Sequence, residues 1–192
     1  MIPSSVSLLL ASRSPRRRQL LAQLGVPLEV VDIEADEHLA RPVPAPLVAE
    51  QTALLKAQAY SAPLVSHQVL VTADTVVLHR DQVLGKPHSR DEALDMLRNL
   101  SGDVHQVYTG VCLRTHNASR LFTERTDVHF LPLSQAEMEY YVDSFQPYDK
   151  AGSYGIQEWI GMVAISSIEG CYYNVMGLPV ARLYHELESL VN

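Results

Sequence analysis

Cysteine is nearly absent. Cys112 and Cys171 are the only two in 192 residues. They show no CxxC spacing and no His-Cys cluster, which excludes a disulfide scaffold or a zinc site of the usual ligand pattern. Both read as buried free thiols. Long hydrophobic runs are lacking too: no stretch approaches the roughly 20 apolar residues that cross a bilayer. Met1-Ile2-Pro3-Ser4-Ser5-Val6 has no charged head for a secretion signal. A cytoplasmic protein without a membrane partner is therefore expected. Basic charge is scarce: 15 Lys and Arg against 22 Asp and Glu leave a net charge of −7. That is the wrong sign for a general nucleic-acid binder. Gly85-Lys86 has no glycine run before it and no Ser or Thr after it, and no GxGxxG follows a strand, so neither a P-loop nor a dinucleotide site is supported. The eight histidines show no HxxxH or HExxH spacing and read as surface or hydrogen-bonded core.

What is present is ordinary globular patterning, with 47% hydrophobic and 19% charged residues. The length suits one domain over residues 1–192, or two small lobes sharing a core. Strands are predicted at Ser7–Ala11, Leu28–Val31, Val69–Leu78 and Gln82–Leu84, then at His105–Leu113 and Leu121–Phe130 as an antiparallel pair. Helices are predicted at Arg16–Leu24 with Ser14 as N-cap and Pro15 in the first turn, at Leu47–Tyr60, at Ser89–Leu100, from Ser134 to about Ser144, and at Leu178–Val191. Residues 40–46 read as proline-rich loop. Met162–Ile168 and Tyr172–Val175 read as further strands, and Gly152–Gly161 is too irregular to assign. Alternating strands and helices define an α/β class with a mixed sheet.

The densest polar stretch is Ser12-Arg13-Ser14-Pro15-Arg16-Arg17-Arg18, where a short apolar strand runs into a helix. Hydroxyls, helix N-terminal amides and guanidinium groups placed this way suit phosphate oxygens. Arginines alone more often mark a solvated helix start. Asp74 lies between Val69-Leu70-Val71 and Val76-Val77-Leu78, in a segment otherwise patterned as core strand. A carboxylate there needs a cation, a metal, a cleft, or neighbouring amides at a strand end. Glu34, Asp36 and Glu37 form an acidic stretch that serves either as a solvated loop or as oxygen ligands for Mg²⁺ or Mn²⁺. Lys56 and Lys86 are isolated cations beside apolar sequence, as a phosphate clamp requires and as many surface lysines also are. In Asp149-Lys150-Ala151-Gly152-Ser153-Tyr154-Gly155-Ile156-Gln157, glycines allow close backbone approach to a flat ligand. Tyr154 is placed to pack on such a ligand, and Gln157 offers a donor and an acceptor to a base edge.

In order along the chain, Ala11-Ser12-Arg13-Ser14-Pro15-Arg16-Arg17, Asp36-Glu37, Lys56-Ala57, Ala73-Asp74-Thr75-Val76-Val77, Gly85-Lys86-Pro87, Ser101-Gly102 with His105, Val107 and Thr109-Gly110, the Asp149–Gln157 tract and Val175-Met176-Gly177-Leu178-Pro179 together resemble the Maf family of nucleoside triphosphate pyrophosphatases, also called septum-formation inhibitor proteins. The resemblance implies an elongated α/β fold similar to the inosine triphosphate pyrophosphatases, with two lobes around a cleft. It implies metal-dependent cleavage between the α- and β-phosphates, releasing nucleoside monophosphate and diphosphate. By the same resemblance Asp74 is the proton acceptor, Arg16, Thr75 and Gln157 set base choice, Ser12 contributes to substrate binding, and Glu37, Lys56 and Lys86 belong to the phosphate and metal site. A homodimer is implied as well.

Arg16 and Tyr154-Gly155-Ile156-Gln157 side with members similar to the dTTP/UTP enzymes. The methyl-GTP subgroup tends to carry tryptophan after Ser-Pro. Two departures stand out: Leu55 occupies a place where the family often has glutamate, and Arg13 one where a small residue is common. Glu34 and Glu37 remain alternatives for the functional acid. The competing readings are a pyrophosphatase for methylated GTP and a non-catalytic nucleotide-binding regulator of cell division. Within the arginine block Arg16 is expected to touch substrate, while Arg17 and Arg18 fall on other helix faces as structural residues.

Overall fold

Leu8, Leu9 and Leu10 are buried throughout, as suits a strand inside a parallel stretch of sheet covered on both faces. In the computed structural model, which describes residues 1–39 and 41–192, they lie in β1 (Ser7–Leu10). β1 pairs in parallel with β2 (Leu28–Val30) on one side and β3 (Gln68–His79) on the other. The sheet continues through β5 (Val104–Arg114) and β6 (Ser119–Phe130) to β7 (Ile165–Glu169), while β4 (Gln82–Leu84) returns antiparallel along β3. β7 runs antiparallel to β6, with an irregularity at His129/Phe130. Helices α1 (Pro15–Ala22), α2 (Val48–Ala59), α3 (Arg90–Leu100), α4 (Gln135–Phe145), α5 (Trp159–Ala164), α6 (Tyr172–Met176) and α7 (Val180–Val191) complete a mixed α/β architecture. Ala40, at the head of the proline-rich loop, lies outside the described residues.

Two compact units divide the chain; three of the four boundaries fall inside strands, and the fourth follows α6. The first comprises Met1–Asp74, Thr109–Glu124 and Gly177–Asn192; the second comprises Thr75–Tyr108 and Arg125–Met176. In the first, Leu9, Ala11, Ala57, Leu70 and Cys112 share a buried cluster. In the second, the predicted stripe of α3 (Ala93, Leu94, Leu97, Leu100) packs with Val107, Phe130, Met138, Tyr141 and Ile160. Helix starts follow their side chains: Ser14 accepts from the Arg17 amide, Ser89 from Glu92, and Ser134 with Glu137 forms a reciprocal capping box.

One predicted strand is helical instead, and another begins three residues later than predicted. Met162–Ala164 belongs to α5, and only from Ile165 does the chain join the sheet. Tyr172–Val175 has strand-like composition but forms α6. There the buried Asn174 amide donates to Val107 O and Thr126 Oγ1, both at 3.0 Å, and Thr126 Oγ1 donates in turn to Cys171 O at 3.1 Å. These tertiary bonds outweigh the β-propensity of two tyrosines and a valine. Of the two thiols, Cys112 is buried as expected, while Cys171 is only half-buried.

Candidate active site

The acid site begins with the seating of α2. A Cβ at Gly110 would stand 2.4 Å from Glu50 Cα, so glycine there lets α2 lie directly on β5. The Arg114 guanidinium donates to Ala57 O (2.6 Å) and Tyr60 O (2.8 Å), satisfying carbonyls at the helix C-terminus. Thr72 is fully buried, and its hydroxyl donates to Ala53 O at 2.7 Å, which fastens β3 to the same helix. Thr72 is thus a structural member of the polar trio in β3. Asp74 is half-buried beside it.

These fastenings bring Lys56, in the last turn of α2, against the end of the buried run in β3. Lys56 Nζ lies 2.8 Å from Asp74 Oδ1 and 3.2 Å from Glu37 Oε1. The lysine side chain is 13% exposed, Asp74 21% and Glu37 56%. The ammonium is largely withdrawn from water, while its partners keep access to solvent. Glu37 is the acid placed at Lys56; Glu34 is exposed in the loop before it.

Arg17, expected to be structural, proves to be the buried scaffold of this site. Its Nε donates to Gly177 O at 2.8 Å and its Nη1 to Ala73 O at 2.8 Å, with Ser12 Oγ at 3.4 Å. It therefore holds the backbone immediately before Asp74 and accounts for the Met176-Gly177-Leu178 motif near the C-terminal helix. Burial lowers the Arg17 pKa, and the Asp74 carboxylate acts in the opposite direction. Ser12 Oγ also accepts from the Ser14 amide at 3.2 Å. Arg16 is half-buried on the same helix start, while Arg13 and Arg18 are exposed.

Thr75, Lys86 and Gln157 belong to the second unit. Thr75 is half-buried in β3, and Lys86 and Gln157 are exposed. The Gly152 amide donates to Gly85 O at 3.0 Å, tying the Lys86 turn to the Gly152–Gln157 loop. Tyr154 does not stand ready for a flat ligand. It is 5% exposed, with its hydroxyl 2.7 Å from His105 Nε2 and its ring edge-on to Phe130. The apolar neighbours of this aromatic trio draw the tyrosine inward. Burial, with a smaller contribution from His79, lowers the His105 pKa from 6.5 to about 3 and keeps the ring neutral.

Sequence reasoning missed the groups that hold the Gln157 loop. Lys150 Nζ lies 2.7 Å from Asp149 Oδ1 and 3.0 Å from Glu158 Oε1. The Tyr141 hydroxyl donates to Glu158 and accepts from the Gly155 amide at 3.0 Å. One signal was available: Tyr141 sits on the apolar stripe of α4 with Met138 and Val142, where a phenol tip needs a partner.

Among the described residues, no group of three or more His, Cys, Asp or Glu side chains gathers as a metal cage. The donor set nevertheless fits a hard divalent cation, since Mg²⁺ is commonly held by one or two carboxylates together with substrate phosphates. Glu37 and Asp74 are such a pair. No helix among the described residues is long and apolar enough to cross a membrane.

A mixed α/β fold with a lysine–carboxylate cluster beside an arginine-rich helix start has the equipment of a hydrolase for phosphate anhydrides. The chain belongs to the Maf family: the family described as Maf-like protein matches residues 7–190. Similar proteins include a dTTP/UTP pyrophosphatase of Bacteroides fragilis, 48% identical and covering 95% of each chain. One of Bacteroides thetaiotaomicron is 47% identical over 95% of each. One of Flavobacterium johnsoniae is 41% identical over 96% of this chain and 95% of its own. The solved structure of the Staphylococcus aureus Ham1 protein matches with a TM-score of 0.41 and 12% identity, covering 65% of this chain and 71% of that one. That likeness is too slight to bear on the site.

Proposed function

We propose that this protein is a cytoplasmic nucleoside triphosphate pyrophosphatase that hydrolyses dTTP and UTP to the nucleoside monophosphate and diphosphate. The observation that carries this reading is the Lys56 ammonium between Asp74 and Glu37 at 2.8 and 3.2 Å. It is supported by the names of relatives that match the chain over nearly its whole length. Asp74 accepts a proton from the attacking water, the new bond forms at the α-phosphorus, and the bond to the bridging oxygen breaks with diphosphate as leaving group. Lys56, Arg16 and Lys86 neutralise triphosphate charge, so catalysis is mainly positioning and electrostatics. Glu37 and Asp74 would hold Mg²⁺ or Mn²⁺, which when bound supplies charge neutralisation and orientation of the phosphates. Ser12 shapes the helix start at which the phosphates are held. Arg16, Thr75 and Gln157 select the base, with the Gln157 amide matching the donor–acceptor edge of a pyrimidine.

The substrate is the free nucleotide rather than nucleic acid, and the enzyme acts as a homodimer. Diphosphate release from a panel of nucleoside triphosphates, with and without metal and including methylated GTP, tests the reading. Preferred turnover of dTTP and UTP is the expected result. Release only from methylated GTP, or binding without product, would replace it with one of the competing readings. Sedimentation of the purified chain tests the dimer.

A further inference from the structure

The loop that carries Gln157 is held by a buried phenol with no part in the proposed reaction. Tyr141 is fully buried on α4, and its oxygen sits between the Glu158 carboxylate and the Gly155 amide. Glu158 is engaged on its other oxygen by Lys150, itself 8% exposed. The Glu158 amide donates back to Gly155 O at 3.0 Å. These groups crowd around a single missing side chain. A Cβ at Gly155 would stand 2.9 Å from Gln157 Nε2, 2.9 Å from Glu158 Cδ and 3.0 Å from Lys150 Cε. The Gln157 amide therefore folds back over Gly155, directly beside the Lys150–Glu158 pair, even though residue 157 as a whole is exposed.

An exposed glutamine on a free loop would sample many rotamers, and each would present its donor and acceptor differently. Base discrimination by one amide requires a single orientation, because reversing it exchanges donor for acceptor. Here the charge pair is held from α4 by a phenol, which burial and the adjacent Glu158 carboxylate keep protonated as a donor. We propose that Tyr141, Glu158 and Lys150 are positioning residues that fix the Gln157 amide in the orientation that selects a pyrimidine nucleotide. This inference rests on the base-reading role given to Gln157 above.

The test is steady-state kinetics with dTTP, UTP and a purine triphosphate, resolving kcat from KM, on Tyr141→Phe, Glu158→Gln and Gln157→Ala, with thermal unfolding measured for each. Tyr141→Phe keeps the ring and its stacking on Phe145 while removing the oxygen. It is expected to raise KM for dTTP and UTP roughly tenfold, the scale of one hydrogen bond to a charged group, with kcat nearly unchanged. Purine turnover does not move, so the pyrimidine preference narrows. Glu158→Gln moves both readouts in the same direction. Should Tyr141→Phe fail to fold, Gly155→Ala takes its place, since its methyl would displace the Gln157 amide directly. A lowered unfolding temperature with unchanged KM and unchanged base preference means a purely structural brace and overturns the inference. If Gln157→Ala relaxes base preference while the two brace variants do not, the brace alone fails. If Gln157→Ala leaves base preference intact, the base-reading role fails and the brace falls with it.

Discussion

Two lysines in this protein are each held between two carboxylates, and they serve different ends. In the first unit Lys56 lies between Asp74 and Glu37; in the second Lys150 lies between Asp149 and Glu158. The lysines are similarly withdrawn from water, at 13% and 9% side-chain exposure, and each has one half-exposed acid and one mostly covered acid. The local chemistry is nearly the same, and the setting differs. Glu158 is gripped a second time by the Tyr141 phenol, which is itself bonded to the loop backbone. Among the described residues, the salt bridges of Asp74 and Glu37 converge on one ammonium, at the end of a strand anchored by Thr72 and Arg17. A carboxylate bonded from both sides is a strut. One whose salt bridge is to a lysine ammonium and that keeps access to solvent can exchange that partner for phosphate, metal or a proton. A triad of charges is therefore informative about function only together with what else binds its oxygens.

The sharpest way to break this comparison is Asp74→Asn. It should preserve folding and nucleotide binding while lowering kcat by roughly 10²- to 10⁴-fold, the range expected for loss of a general base. Diphosphate release at saturating dTTP measures it, and turnover near that of the parent would remove Asp74 from the mechanism. Next come the two lysines in parallel. Lys56→Met should lose most turnover at saturating nucleotide, whereas Lys150→Met should retain kcat, raise KM and cost roughly 2 kcal/mol of stability. That figure is less than breaking a fully buried pair because Asp149 stays half-exposed. Denaturant melts and kinetics on both variants separate the roles; equal loss of kcat would merge them.

A smaller effect concerns the pH response of the second unit. His105 has its pKa depressed from 6.5 to about 3 by burial. Between these values the unfolded chain binds a proton that the folded chain does not. Its contribution to stability is therefore present above 6.5 and is lost as pH falls, at up to roughly 1.4 kcal/mol per pH unit. Denaturation midpoints across that window should decline with acidification, and His105→Gln should flatten the slope. The smallest effect is at the thiols. Burial pushes the Cys112 thiol up to about 11. At mildly alkaline pH a thiol reagent should accordingly label half-buried Cys171 well before Cys112, giving one slow reporter in the first unit and one fast reporter in the second.

Local signals carried much of the fold. Ser14-Pro15, Ser89 and Ser134 predicted helix starts that the structure contains, and the spacing of Ala93, Leu94, Leu97 and Leu100 predicted the buried face of α3. The signals failed where composition and tertiary partners disagreed. Tyr172–Val175 reads as strand until Asn174 finds Val107 and Thr126, and Tyr154 reads as a ligand platform until His105 and Phe130 enclose it. For the candidate site, Asp74 was legible because a carboxylate in a run of valines and leucines demands a reason. The brace was not legible, because Tyr141, Lys150 and Glu158 come together only once α4 packs against the loop.

The sequence by itself determined which residue types were available and in what order: an arginine-rich helix start, an aspartate inside a core strand, isolated lysines, and a glycine-rich loop ending in glutamine. The spacing of those pieces along the chain is enough to place it in its family. Tertiary structure decided how each charge is used. Lys56 and Asp74 stand 18 positions apart and meet because Gly110 lets α2 lie on β5 and Thr72 fastens β3 to it. Arg17 and Arg16 are neighbours in sequence, yet one is spent on the carbonyls of Ala73 and Gly177 while the other sits half-exposed at the helix start. Burial and the competition for hydrogen-bond partners separate a scaffold charge from a working one, and both are properties of the packed fold rather than of the residue.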